Sequence, residues 1–293
     1  VRLEWVGAIA ALVPAGAAWA CPTCGTGDPT LTSAGTEAAA AGQVRAAADT
    51  SVGSDARGAG ADAISRSDVR VAAAASFSAT DRVTVSAELP VLWRAASLGD
   101  GSQLRIDGPG DAEARLRWTV WRDRPFAATQ SLTLALGALL PTSPLFRDAT
   151  GQPLDWRAQL GAGAVQPSLA VSHEYRRDTW ALFSGLSALW PAGGWLGVQP
   201  GRSARANAAA QEELTQRLAL RIALDARLDE AARVHGAFDP DSGGFIAYAT
   251  PEVLFTPRPD VTLSASVRQP LAEALRGTQI HGTLYRCVVS LDF

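Results

Sequence analysis

No lysine occurs in the 293 residues, so all 26 positive charges are arginine, and no methionine occurs either. With the abundance of alanine, these gaps fit a GC-rich coding sequence, and a start codon other than ATG would account for Val1. Other absences exclude whole classes of function. A formal charge of −3 leaves no basic surplus for a nucleic-acid binder. Beyond the first segment no run approaches the roughly 18 to 20 apolar residues that a transmembrane helix needs. No second C-x-x-C and no paired histidines accompany the three cysteines and three histidines, so the usual pattern of a four-ligand zinc site is missing. No nucleophile elbow appears, because Gly185-Leu186-Ser187-Ala188-Leu189 lacks its second glycine. Ser172 and His173 are adjacent, and neighbours on a strand point to opposite faces, so they cannot act as nucleophile and base. The chain is therefore expected to be no enzyme and to carry no cofactor.

What is present is alternation. Residues Arg217 to Glu230 read RLALRIALDARLDE, made largely of good helix formers, yet Leu218, Leu220, Ile222, Leu224, Ala226 and Leu228 occupy every second position. A helix would scatter these around its circumference, whereas a strand sorts leucines to one face and charges to the other. The same pattern recurs at 82–94, 112–121, 126–140 and 260–270. The polar faces are rich in Ala, Ser, Thr and Gly, with arginines and carboxylates between them, which suits a crowded wet interior better than the lysine-rich outside of a soluble sandwich.

This spacing predicts twelve strands, at about 41–53, 66–79, 81–95, 110–122, 126–141, 160–176, 178–191, 204–215, 217–230, 243–256, 260–271 and 279–293. Their connections alternate between tight turns and long Gly/Asp/Pro/Ser-rich stretches. That is the signature of an all-β transmembrane antiparallel barrel with short periplasmic turns and long extracellular loops, in the outer membrane of a bacterial cell. Closure satisfies every backbone group in lipid, which outweighs local helix propensity. Trp118, Trp121, Trp180 and Trp190 near strand ends suit the membrane interface. On the final strand Tyr285 and the terminal Phe293 share the apolar parity, which reads as a signal for the outer-membrane assembly machinery. Cys287 shares that parity as a plain apolar residue.

The interior parity supplies the candidate site. Arg82, Glu88, Arg94, Glu113, Arg115, Arg117, Arg221, Asp225, Arg227 and Arg268 are the expected pore-lining residues, with Arg45, Arg70, Arg286, Glu174 and Glu252 on the same faces. If a path stays open, the arginine excess predicts mild anion preference. If the charges pair across strands, they fill the modest interior of a twelve-stranded barrel.

The first 20 residues read as a secretory signal, with an apolar run from Trp5 to Val13 and Ala18-Trp19-Ala20 before the cleavage point. Residues 21–40 form a cysteine-bearing periplasmic or plugging segment, and the barrel takes 41–293. Cys21 and Cys24 form a C-x-x-C, read first as a disulfide, with a metal or redox site or lipidation as alternatives.

The stretches DRVTVSAELPVLWR, GPGDAEARLRWTVWRD, LALGALLPTSP and SVRQPLAEALRGTQI…LDF resemble the outer-membrane transporter barrels associated with phenol meta-pathway degradation. The likeness runs in order from about residue 41 onward, and the chain departs from it at Leu139-Leu140-Pro141, where the family often has a lysine. It implies a channel or transporter, in contact with membrane lipid, for small solutes including organic or aromatic compounds. Two other readings stand beside it, a closed structural or ligand- or partner-binding barrel and, third, a surface hydrolase barrel.

Overall fold

The computed structural model describes residues 41–125 and 128–293. The expected signal segment and Cys21-Cys24 lie outside these residues. Among the described residues twelve long strands form one antiparallel barrel. They are β1 (Val44–Arg57), β2 (Ile64–Ser78), β3 (Val83–Leu98), β4 (Ala112–Arg122), β5 (Gln130–Leu140), β6 (Gln166–Arg177), β7 (Trp180–Leu189), β8 (Ser203–Thr215), β9 (Leu218–Asp229), β10 (Gly244–Arg258), β11 (Val261–Leu275) and β12 (Leu284–Asp292). Each pairs with its sequence neighbours, and β1 pairs with both β2 and β12, which closes the ring. The register Arg45↔Asp292 to Val52↔Tyr285 joins the ends.

The exterior follows the alternation. Leu220, Ile222, Leu224 and Leu228 of β9 are exposed, while Ala219 and Arg227 of the other parity are buried. Two rings of outward aromatics border this apolar surface. Phe77, Trp118, Trp121, Trp180 and Phe255 ring the short-turn end, and Trp93, Trp190, Phe245 and Tyr285 the long-loop end. Ten residues separate Phe245 from Phe255, roughly 33 Å along a strand, which at a 40° tilt is about 25 Å of height and matches an outer-membrane hydrocarbon layer. The exterior is thus built to face lipid.

Four differences from the sequence reading have physical causes. The strand expected from residue 160 starts at Gln166, because residues before it turn inward, where Ala158, Leu160 and Ala164 are buried. The stretch after β3, expected as loop, contains a strand at Gln103–Pro109 that folds back along β3 in the register Ser97↔Gln103. The last strand is broken, so Gln279–His281 pairs with Asp55–Arg57 before β12 resumes along β1. In β4 the register shifts between Thr119 and Trp121, so Val120, expected on the outer face, is the extra residue of a β-bulge.

The main apolar cluster lies inside the barrel at the long-loop end. Ile64, Leu92, Ala96 and Ile106 from the β1–β4 wall enclose Ala158 and Leu160 from the long β5–β6 connection, with Phe146 and Leu154 packed alongside. Burying two leucine-sized side chains is worth about 3–6 kcal/mol. That holds the connection inside the mouth, where it narrows the lumen from one side.

Candidate functional site

The interior parity of the twelve strands surrounds one cavity of ≈ 680 Å³. Its lining runs from Gln43, Arg45 and Asp81 at the short-turn rim to Asp229, Ser242 and Gln279 beneath the long loops. Fifteen arginines and ten carboxylates line it, in a chain whose formal charge is −3. Three more carboxylates, Asp55, Asp68 and Asp292, bond lining arginines from the wall, so the positive balance is modest.

One side of the barrel is a dense ion-pair lattice. Asp49 accepts from Arg70 at 3.1 Å and from Arg286 at 3.0 Å, and Arg70 also reaches Glu88. Near the mouth Asp55 holds Arg66, and Asp68 holds Arg94 through contacts of 2.8 and 2.5 Å. Both aspartates are 0% exposed, so these charges are kept only because each fork is matched by a carboxylate. The spare guanidinium donors then reach the β5–β6 connection. Arg66 donates to the Arg157 carbonyl at 2.6 Å, and Arg94 donates to the carbonyls of Gln159 at 2.6 Å and Ala158 at 3.2 Å.

The same connection is tied at three further points. Asp111 accepts from the Ala162 N–H at 2.9 Å and the Ser143 N–H at 3.3 Å, and burial pushes its carboxyl above the usual range. Gln159 bonds the backbone of Phe146 in both directions at 2.9 Å, and Arg157 reaches Asp239 at 3.2 Å. Residues 156–162 are therefore a fixed shelf in the mouth, and Trp156, Arg157 and Leu160 face the cavity from it.

The opposite side is small and largely neutral along its middle, between Glu174 and Phe183 toward the short-turn end and Leu139 and Leu189 toward the long loops. Ser131, Thr133, Ala135 and Gly137 of β5, Ser168, Ala170 and Ser172 of β6, and Gly185 and Ser187 of β7 line the cavity. Charges flank this bare wall. Arg115 and Arg117 stand on β4, with Arg115 bonding Glu113 at 2.6 Å, and on β9 and β10 Arg221 bonds Glu252 at 2.8 Å and Arg227 meets Asp229 at 2.7 Å. Asp225 faces Asn207 across the β8–β9 register, and Arg268 stacks over Tyr248 at 4.0 Å.

The structure places Glu88, Arg94, Glu113, Arg115, Arg117, Arg221, Asp225, Arg227 and Arg268 on the inner wall. They do not form one cluster. Arg94 belongs to the buried latch on the shelf, and Arg82 stands exposed in the β2–β3 turn at the rim, not within a strand. Asp49, Asp55, Arg66, Asp68 and Arg205 also face inward and were readable by the same parity. Asp111 was not, because it lies between strands and its partners sit on a distant connection. Tyr285 faces outward near the long-loop end. Phe293 exchanges backbone hydrogen bonds with Val44 at the other end. Cys287 is free and exposed on the outer face. Ser172 and His173 both border the cavity, from opposite parities of β6, and His173 pairs with Leu132 across the β5–β6 register. No group of three or more metal-capable side chains occurs among the described residues.

Comparison with known proteins adds to this geometry. No protein-family model matches the chain, and no curated protein sequence does. Solved structures do match in fold. An outer-membrane channel from Pseudomonas putida F1 superposes with a TM-score of 0.68 at 14% identity, over 88% of this chain and 97% of that one. The translocator domain of the autotransporter NalP from Neisseria meningitidis gives 0.52 at 10% identity, over 89% and 91%. The fold is that of a bacterial outer-membrane β-barrel.

Proposed function

We propose that the protein is an outer-membrane channel through which small solutes pass down their gradients. The observation that carries this reading is the ≈ 680 Å³ cavity reaching from the short-turn rim to the long loops past a bare wall on β5–β7. A plug of packed side chains would need bulk on that wall. Along its middle the sequence instead supplies Ser, Thr, Ala and Gly. The likeness to the Pseudomonas putida F1 protein, described as an outer-membrane channel, supports the same class. The resemblance of the strands to barrels associated with phenol meta-pathway degradation makes small organic and aromatic compounds the first solutes to test. Passage through such a barrel is positioning and electrostatics, with no bond made or broken, which accords with a non-enzymatic role.

Single-channel recording of the refolded protein in a planar bilayer tests this directly. Steps of reproducible size are expected, with a reversal potential in a potassium chloride gradient displaced toward chloride. Replacing Arg115 and Arg117 by glutamate should move that potential toward potassium. A folded barrel that never conducts would defeat the channel reading. It would favour a closed structural or binding barrel instead, for which the tied shelf at 156–162 is the supporting observation.

A further inference from the structure

Nine of the ten carboxylates that line the lumen hold an ion-pair or hydrogen-bond partner. The tenth, Asp225 on β9, has none among the described residues. Its neighbour across the β8–β9 register, Asn207, is exposed to the lumen and likewise has no partner there. The two do not bond each other, because the Asn207 amide lies over the bare backbone of Gly185, on the other side of its strand. One inward position nearer the short turns, Ala209 and Ala223 pair with each other, and each offers the lumen only a methyl group. Ala209 also pairs with Phe183 of β7, which lines the cavity too. The wall therefore holds a niche with two methyl groups as its floor, an aromatic side chain at one end, and an amide and a carboxylate along its upper edge.

Charge around this niche is balanced. Arg205 and Arg227 face each other one inward position nearer the long loops, and Arg227 is engaged by Asp229 at 2.7 Å. Together with Asp225 they make two positive and two negative groups, so the niche favours an ion of neither sign. On its lower side Arg221 and Glu252 are closed on one another. What stays unmet is hydrogen bonding. An ionised carboxylate only accepts, whereas an amide both donates and accepts. A hydroxyl can donate to Asp225 and accept from Asn207, while an ammonium only donates, and a carboxylate only accepts and meets Asp225 as a like charge. A second hydroxyl beside the first can donate to the other Asp225 oxygen. An apolar ring behind the two would leave water for the methyl groups and Phe183.

We infer that this niche binds small uncharged molecules that carry two neighbouring hydroxyls on an apolar ring, through Asp225 and Asn207, with Phe183 against the ring. Resting on the channel reading, it is the point in the lumen at which such diols are selected.

Four probes share one ring and differ in what it carries: cis-1,2-cyclohexanediol, cyclohexanol, cyclohexylammonium and cyclohexanecarboxylate. Binding is read in two ways, by interruption of the potassium chloride current through a single barrel, and by saturation-transfer NMR on the refolded protein in detergent micelles, which needs no conduction. The diol should act at a concentration about tenfold below each of the other three, the worth of one further hydrogen bond to a charged group, and its effect should not depend on the sign of the voltage. Asp225→Ala should bring the diol within about twofold of cyclohexanol, since that hydrogen bond is gone. Phe183→Ala should weaken diol and cyclohexanol together and keep their ratio. A heat-dependent gel shift confirms that each variant is folded. Equal action of diol and cyclohexanol, tighter binding of either ion, or a diol preference that survives Asp225→Ala would overturn the inference. A conducting barrel without the preference leaves the channel reading standing. A barrel that never conducts but shows the preference by NMR keeps the site and defeats the channel reading.

Discussion

Arg115 lies flat against the barrel wall because its neighbour across the β4–β5 register has no side chain. A β-carbon built on Gly137 would meet Arg115 Cγ at 3.0 Å and the Ser168 hydroxyl at 2.7 Å. Gly185 stands in the same relation to Asn207, at 2.9 Å. The bare wall is thus also a bed on which long polar side chains recline, and that keeps them out of the path. Gly137→Leu should lift Arg115 into the lumen and lower single-channel conductance at least twofold without changing the gel shift. Arg94 works differently. Its fork lies against Asp68 where neither side chain has appreciable exposure, 2% and 0%. Arg94→Ala strands a buried carboxylate and releases the Ala158 and Gln159 carbonyls, so a loss of about 3–5 kcal/mol is expected in denaturant unfolding. Folded molecules of that variant should show noisier and larger conductance, because the shelf has lost its main anchor.

At the scale of the element, alternation was legible and its interruptions were not. The inner and outer faces of β9 follow directly from RLALRIALDARLDE, because lipid outside and water inside impose a period of two on every residue. The same parity exposes Asp49, Arg70 and Arg286 as inward neighbours. A bulge breaks the period for a single residue and leaves no compositional mark. Val120 is as apolar as its neighbours, yet it is the residue that lets both Trp118 and Trp121 face outward. Removing Val120 should restore plain alternation with Trp121 still outward, so the deletion should assemble into a heat-modifiable barrel. Deleting Leu134, in an unbroken part of β5, would turn one arm of the strand inside out and should abolish assembly. The shelf at 156–162 was illegible for another reason. It is set by contacts such as Arg94 to Gln159 that span 65 positions, and by an apolar cluster drawn from four separate segments.

At the scale of the whole molecule, the lumen carries more positive charge than the chain does on balance, and every unit of it is guanidinium. A lysine-lined passage would begin to discharge near pH 10, whereas arginine holds its proton beyond about pH 12. The displacement of the reversal potential toward chloride should therefore be the same at pH 7 and at pH 10, measured on one barrel by exchanging the bath. Loss of the preference over that interval would mean that the arginines do not set it.

The latch that seats the shelf grips main-chain carbonyls, of Arg157, Ala158 and Gln159, and these are groups that every residue carries. Part of the holding is thus independent of the side chains on the shelf, to which Arg157, Gln159 and Leu160 add ties of their own. Residue 156 can be exchanged through mutation while its backbone stays in place, much as a tool is changed in a fixed chuck. A lineage of such barrels could diversify what it admits by substitutions at this position, leaving the twelve strands and their assembly untouched.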